Sequence, residues 1–402
     1  MAASASACLC GLAWLAACSA CGADWPCFRG PDRNGLSSEA ELRWPEGTNG
    51  LPVLWKASVG KGFSSFAVAQ GRAVTMGNAD GTDTVYCFDA ETGAVLWKHS
   101  YPCDAQPLSY EGGPGSTPAV DSGRVYTFSK SGDLFCLDAQ SGRVVWQKKF
   151  DLWPWREGDW KNTWRYAGSP LVLGDRLYLS LGQSGAALNA RDGSVVWQSE
   201  AGHPGYASPV PFQAGGRAAL ALFCGRAVSG VAADTGKLLW TVPWHTEWDM
   251  NAADPVVRDG RLFVSSGNNS GCALYDVSVD PPRELWRNKN LATPMNGAVL
   301  WQGYLYGFND ADLCCVAWAS GEQKWSERSV RRGSVVLVGG HLLALSESGT
   351  LVVAPASPDG FKPVAQVRVL SGRCWTSPAV ANGRLYVRNA QGDAVCYRVG
   401  KR

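Results

Sequence analysis

The sequence predicts an all-β chain: eight four-stranded antiparallel units closed into a β-propeller. Three observations carry that reading. Nineteen of the 402 residues are tryptophan and 47 are glycine, a bias expected when one small unit is repeated. The pattern Thr/Ser/Asp-Gly-x-x-x-Trp occurs at Thr92…Trp97, Ser141…Trp146, Asp192…Trp197, Thr235…Trp240 and Ser320…Trp325. A hairpin signature, a short apolar run, a glycine turn and an alternating run, begins at Thr117, Asp254 and Ser377. Units of this length with four strands apiece are the mark of a propeller.

The elements follow in chain order. Residues Ala2–Ala23 carry no charge, and the apolar stretch Leu9–Ala17 has the length of a signal-peptide core. Residues 1–23 are therefore read as a signal peptide, 24–50 as an N-terminal arm and 51–402 as the propeller. Leu15-Ala16-Ala17-Cys18 also fits a lipoprotein signal with Cys18 acylated; simple export is the preferred alternative. No other segment has transmembrane length. From Trp55 through Trp286 to Trp325 the tryptophan steps are 42, 49, 51, 43, 46 and 39 residues. The next copy is degenerate, with Val364 after Gly360 in the tryptophan position. The last unit, Ser377–Val399, supplies three strands, and the unpaired strand around Val53–Ser58 has the pattern of the missing fourth. Pairing the two closes the ring and removes both exposed edges.

Thirty-seven basic and 35 acidic side chains leave a net charge of +2, which excludes the footprint of a nucleic-acid binder. The 46% hydrophobic content excludes disorder. Without the leader's Cys8, Cys10, Cys18 and Cys21, ten of the 14 cysteines remain; export permits disulfides, with the pairing open.

The segments FDAETGAVLWK, LDAQSGRVVWQ and AADTGKLLWT resemble the tryptophan-docking repeat of the pyrroloquinoline-quinone (PQQ)-like propellers. That group includes quinoprotein dehydrogenases and the propeller lipoprotein of the outer-membrane protein assembly machinery. The opening DWPCFRGPDRNG is similar to exported bacterial proteins with the same repeats. The resemblance spans residues 24–399 and implies the fold and a periplasmic or outer-membrane location; activity does not follow from fold.

In an antiparallel meander, first-to-second and third-to-fourth turns share one face, while second-to-third turns and blade-to-blade connections share the other. The long connections all fall on the second face, where function on a rigid scaffold is expected. Lys98–Ser116 is one. A second connection adds Trp153, Trp155, Trp160, Trp164 and Tyr166; a third adds Trp244, His245, Glu247, Trp248, Asp249 and Asn251. These are the candidate binding residues, either a platform for a protein, polymer or small ligand or caps on the blade tops. The repeat tryptophans Trp97, Trp146, Trp197, Trp240, Trp286 and Trp325 are read as architectural. His245, Glu247 and Asp249 alternate as metal or acid–base groups do, but further ligands would have to come from His99, His203 or His341. No metalloprotease, phosphate-loop or hydrolase-elbow motif occurs. Cys314-Cys315 matches the adjacent-cysteine disulfide of quinoprotein alcohol dehydrogenases; because Cys315 repeats the third-strand position of Cys87, Cys136 and Cys396, it is read as packing. The expectation is a monomeric, non-catalytic binding propeller without cofactor. The alternative is a PQQ- and calcium-dependent alcohol or sugar dehydrogenase.

Overall fold

The computed structural model describes residues 23–39, 42–44, 50–106, 110–152, 164–247 and 249–400. Among them there is no helix, and eight antiparallel sheets form an eight-bladed propeller. Seven blades are sequential meanders. Blade 1 comprises strands 67–69, 72–79, 82–89 and 95–102, and blade 7 strands 333–338, 341–346, 350–355 and 365–368. Blade 8 takes strands 379–381, 384–388 and 393–398 from the C-terminal end, and its outermost strand is Val53–Ser58, paired antiparallel from Val53↔Tyr397 to Ser58↔Asp393. The ring closes as the sequence predicts.

The repeated Gly and Trp meet across blades rather than within one. Gly93 and Gly142 have φ of +74° and +71°, which the third-to-fourth turn requires. A second constraint comes from the neighbouring blade: a Cβ at Gly93, Gly142, Gly193, Gly236 or Gly321 would fall within 2.7 Å of the preceding blade's indole. Each of these indoles also donates Nε1–H to a carbonyl of the next blade: Trp55 to Ala90, Trp97 to Ala139, Trp146 to Ala190, Trp197 to Ala233 and Trp286 to Trp318. Blade 5 has no such glycine. The indole that would face it, Trp240 of blade 4, lies instead over Gly230 of its own blade, and its buried Nε1 has no partner.

The third-strand residue facing each Trp is correspondingly small in most blades. Cys87, Cys136, Ala187, Gly230, Cys315 and Cys396 pair with Trp97, Trp146, Trp197, Trp240, Trp325 and Trp55. All ten cysteines among the described residues are free and buried. Burial pushes the Cys87, Cys224, Cys272, Cys315 and Cys396 thiols up to about 12.

Candidate binding site on the ring axis

In six blades the innermost strand is preceded by a short polar residue, in five of them followed by proline, and these residues are linked from blade to blade at the axis. Ser65 N–H donates to Thr117 Oγ1 (2.9 Å), Thr117 N–H to Ser169 Oγ (2.9 Å), Ser169 N–H to Ser208 Oγ (3.1 Å) and Ser208 N–H to Asp254 Oδ1 (2.8 Å). Ser65 Oγ closes the belt backwards onto the Ser377 carbonyl at 2.7 Å. Satisfying buried backbone donors with the next blade's side chain fixes the blade spacing at the axis. The belt changes character at two neighbours: blade 5 supplies a carboxylate, Asp254, and blade 6 supplies Gly297, with no side chain.

That gap is filled by the N-terminal arm. Residues 23–39 form a hairpin-like insertion that enters and leaves by the tight-turn face. Ala23 and Asp24 bond to Asn382, and Glu39 accepts from Gly383 N–H. Between them Trp25 pairs with Val68 of blade 1, Pro26 O accepts from Val120 of blade 2, and Leu36–Ser37 adds a parallel strand to Leu337–Val338 of blade 7. Arg29 donates to the carbonyls of Gly297 and Ala298 of blade 6, and Arg33 to those of Ser169 and Pro170 of blade 3. The arm thus spans the ring and plugs its centre. Burial lowers the pKa of Arg29 and raises that of Asp254; the Arg29 guanidinium opposes the rise at Asp254.

Above the plug, on the face of the long connections, lies a blind cup of about 290 Å³. Phe28 of the plug, Asp254 and the belt residues line its inner end; Phe63, Tyr110, Trp164, Tyr206 and Trp375 form its wall. The rings hold one another. Tyr110 lies 5.3 Å from Trp164 and 5.2 Å from Trp375, which stacks on Phe63 at 5.8 Å. Trp375 Nε1 donates to Glu347. Arg373 sits 4.5 Å over the Trp375 ring while paired with Glu111 at 2.8 Å.

The expected site residues divide. Trp164 is in the cup wall. Tyr166 is buried against Phe128, with its hydroxyl accepting from Leu152 N–H. Trp244 is 3% exposed and donates to Ser266 Oγ, and fully buried Asn251 bonds to the Cys224 and Gly225 carbonyls and to Ser266. Asp249 is held by Arg226, whereas His245 and Glu247 are exposed. From that connection it is Met250 and Ala252 that reach the cup. Trp153, Trp155, Trp160 and Trp248, and Cys18 in the leader, lie outside the described residues. Sequence reasoning missed Phe28, Phe63, Tyr110, Asp254, Trp375 and Thr376. The one available signal was the Ser/Thr/Asp-Pro preceding the innermost strand, which marks residues that meet at the axis.

A calcium ion would find a single carboxylate among the described residues of this cup. Asp254 is the one acid among its lining residues, and no group of three His, Cys, Asp or Glu among the described residues is placed to hold a metal. His99, His203 and His341 belong to different parts of the ring. Cys314 and Cys315 lie on the third strand of blade 6, opposite Ser326 and Trp325, and not in the cup wall.

A family model described as outer membrane protein assembly factor BamB matches residues 52–109 and 81–327. A polyvinylalcohol dehydrogenase from Pseudomonas sp is 35% identical over 113 residues, a match that takes in 26% of this chain and 18% of that protein. Among solved structures, BamB from Moraxella catarrhalis is similar with a TM-score of 0.64 at 17% identity, over 87% of this chain and 99% of that one. The quinohemoprotein alcohol dehydrogenase from Comamonas testosteroni gives 0.68 at 14% identity, over 94% and 81%. At these identities the two structures show the fold alone. The family match, by contrast, spans well over half of the sequence, and the chain belongs to the family of the outer membrane protein assembly factor BamB.

Proposed function

We propose that this protein is an exported, non-catalytic propeller that binds a partner protein, polymer or small ligand on its long-connection face, with the axial cup as the recognition site. One observation carries the reading: an aromatic-walled cup is closed from behind by the protein's own N-terminal segment. Rigid rings around a few polar groups are what a specific binding site requires. The BamB structure, at 99% of its own length, supports a scaffold of this size. The dehydrogenase reading draws on the similarity to the polyvinylalcohol and quinohemoprotein alcohol dehydrogenases, and needs a metal-ligand set to which the described residues of the cup bring one acid, Asp254. Export rests on the leader. Because Ala23 and Asp24 emerge at the tight-turn face, acylation of Cys18 would hold that face to a periplasmic membrane surface and present the cup outward. No helix among the described residues is long and apolar enough to cross a membrane.

The test is to titrate the purified protein with PQQ and Ca²⁺ and follow dye-linked oxidation of alcohols and sugars. No stoichiometric uptake and no turnover are expected; tight uptake with turnover would replace this reading by the dehydrogenase.

A further inference from the structure

Every blade contributes one equivalent position to the cup. In seven blades it is the residue two before the belt: Phe63, Tyr206, Met295 and Trp375 in blades 1, 4, 6 and 8, and glycine or alanine in blades 2, 3 and 5. Blade 7 supplies Arg332 instead, one residue ahead of its innermost strand. Phe28, Tyr110, Trp164 and Met250 complete the apolar wall, and apart from Tyr206 these rings and thioethers are half-buried, with apolar surface left uncovered. Two of the chain's four methionines lie here, where flexible thioethers adapt to an apolar or aromatic group.

The charges are unequal in what they are free to do. Asp254 is 5% exposed, accepts from Ser208 N–H and is offset by Arg29 and Arg33. Lys130 is 3% exposed, and its ammonium donates to the Ala105 carbonyl. Acids beside the cup are also committed: Glu111 to Arg373, Glu347 to the Trp375 indole, and Asp310 to the N–H groups of Asn268 and Asn269. The connection 153–163, outside the described residues, has Arg156 and Lys161 against Glu157 and Asp159 and so adds no net charge. Arg332 alone among the described charged lining residues is half-buried with no hydrogen bond, ion pair or ring contact on its guanidinium, whose nitrogens keep contact with solvent.

A free guanidinium beside an apolar wall fits a ligand with a carboxylate next to a large apolar group. A polypeptide offers both from one residue only at its C-terminus, where the side chain and the carboxylate share a Cα. Within a chain, Asp and Glu carry the charge on the side chain that would have to enter the apolar wall. Size agrees: the cup, about 290 Å³, is at the small end of the roughly 300–1,000 Å³ of ligand pockets. Phe28 closes its inner end, so a chain end enters where a passing strand does not.

We propose that the cup receives the C-terminal residue of a partner polypeptide, with a large apolar side chain among the rings and the carboxylate on Arg332. This rests on the cup being the binding site of the long-connection face.

The experiment is a calorimetric titration of the purified protein with three acetylated peptides: Gly-Ser-Gly-Ser-Phe as the free acid, the same peptide amidated, and a free acid with Gly in place of Phe. The variants are Arg332→Gln, which removes an uncommitted charge, and Arg217→Gln on the tight-turn face as control. Saturable binding of the Phe acid is expected, weakened about tenfold or more by amidation, by loss of the Phe ring and by Arg332→Gln, with Tm unchanged and the control like wild type. In Arg332→Gln, amidation should cost nothing further, because both changes remove the same contact. Equal binding of acid and amide overturns the terminal-carboxylate assignment and leaves the cup as an apolar site. An equal loss on amidation in wild type and Arg332→Gln overturns the assignment of the carboxylate to Arg332. Binding of none of the three peptides overturns the proposal; the cup is lost as the binding site only if a photoreactive residue at Tyr110 also captures nothing.

Discussion

Two tryptophans at equivalent positions make the residue-scale account testable. Trp97 donates to Ala139 O at 2.9 Å, whereas the buried Trp240 Nε1 has no partner. Replacing Trp97 with Phe leaves a buried carbonyl unpaired, so a loss of about 1–2 kcal/mol is expected. The same change at Trp240 should cost clearly less, and chemical denaturation of the two variants measures the difference. At Gly142, φ is +71° and an added Cβ would fall 2.6 Å from the Trp97 ring; Gly142→Ala should therefore lose about 3 kcal/mol, more than backbone strain alone. The thiols held up to about 12 should resist iodoacetamide at pH 8 until the chain unfolds, as mass spectrometry of native and denatured samples would show. The repeat Gly and Trp were legible from spacing, and so was the preference for a small third-strand residue. That the glycine also has to make room for the previous blade's indole was not, because spacing along the chain carries no record of contact across blades.

Among the elements, the plug matters most and was the least legible. Trp25, Arg29 and Arg33 lie in a stretch with no repeat and no alternation, so local pattern gave them no place. Their partners are backbone carbonyls of blades 6 and 3, which sequence cannot mark. The break in the belt is visible only afterwards: Asp254 and Gly297 stand where Ser or Thr stands in other blades, and Arg29 docks between them. Arg29→Met removes the charge that opposes desolvation of Asp254. A carboxyl whose folded pKa is raised has its full stability below its unfolded value and loses stability as pH rises through the folded value. The variant should therefore lose Tm from pH 4 to pH 7 more steeply than wild type; parallel curves would show that Asp254 does not feel Arg29.

At the scale of the whole molecule, eight blades, their order and the closure by Val53–Ser58 were all readable, since each rests on a repeated pattern or on the need to hide an edge. The position of the cup was not. The expected aromatic connections supply Trp164, Met250 and Ala252 to it, yet Trp244 and Asn251 turn inward, because a tryptophan outside the repeat can cap a blade as readily as line a site. Closure is reinforced by Arg388 of blade 8, fully buried, which donates to the carbonyls of Gly60, Ser64 and Met76. Arg388→Ala should cost more than about 3 kcal/mol by leaving those carbonyls unpaired at the seam. The central claim is that this face, through its cup, is where the protein binds. Position-specific photo-crosslinking tests it most directly, with a photoreactive phenylalanine placed at Tyr110 on the cup wall and, as the opposite-face control, at Gln70. Adducts from Tyr110 that disappear in Trp164→Phe, with none from Gln70, are the predicted result; adducts from Gln70 alone would contradict it.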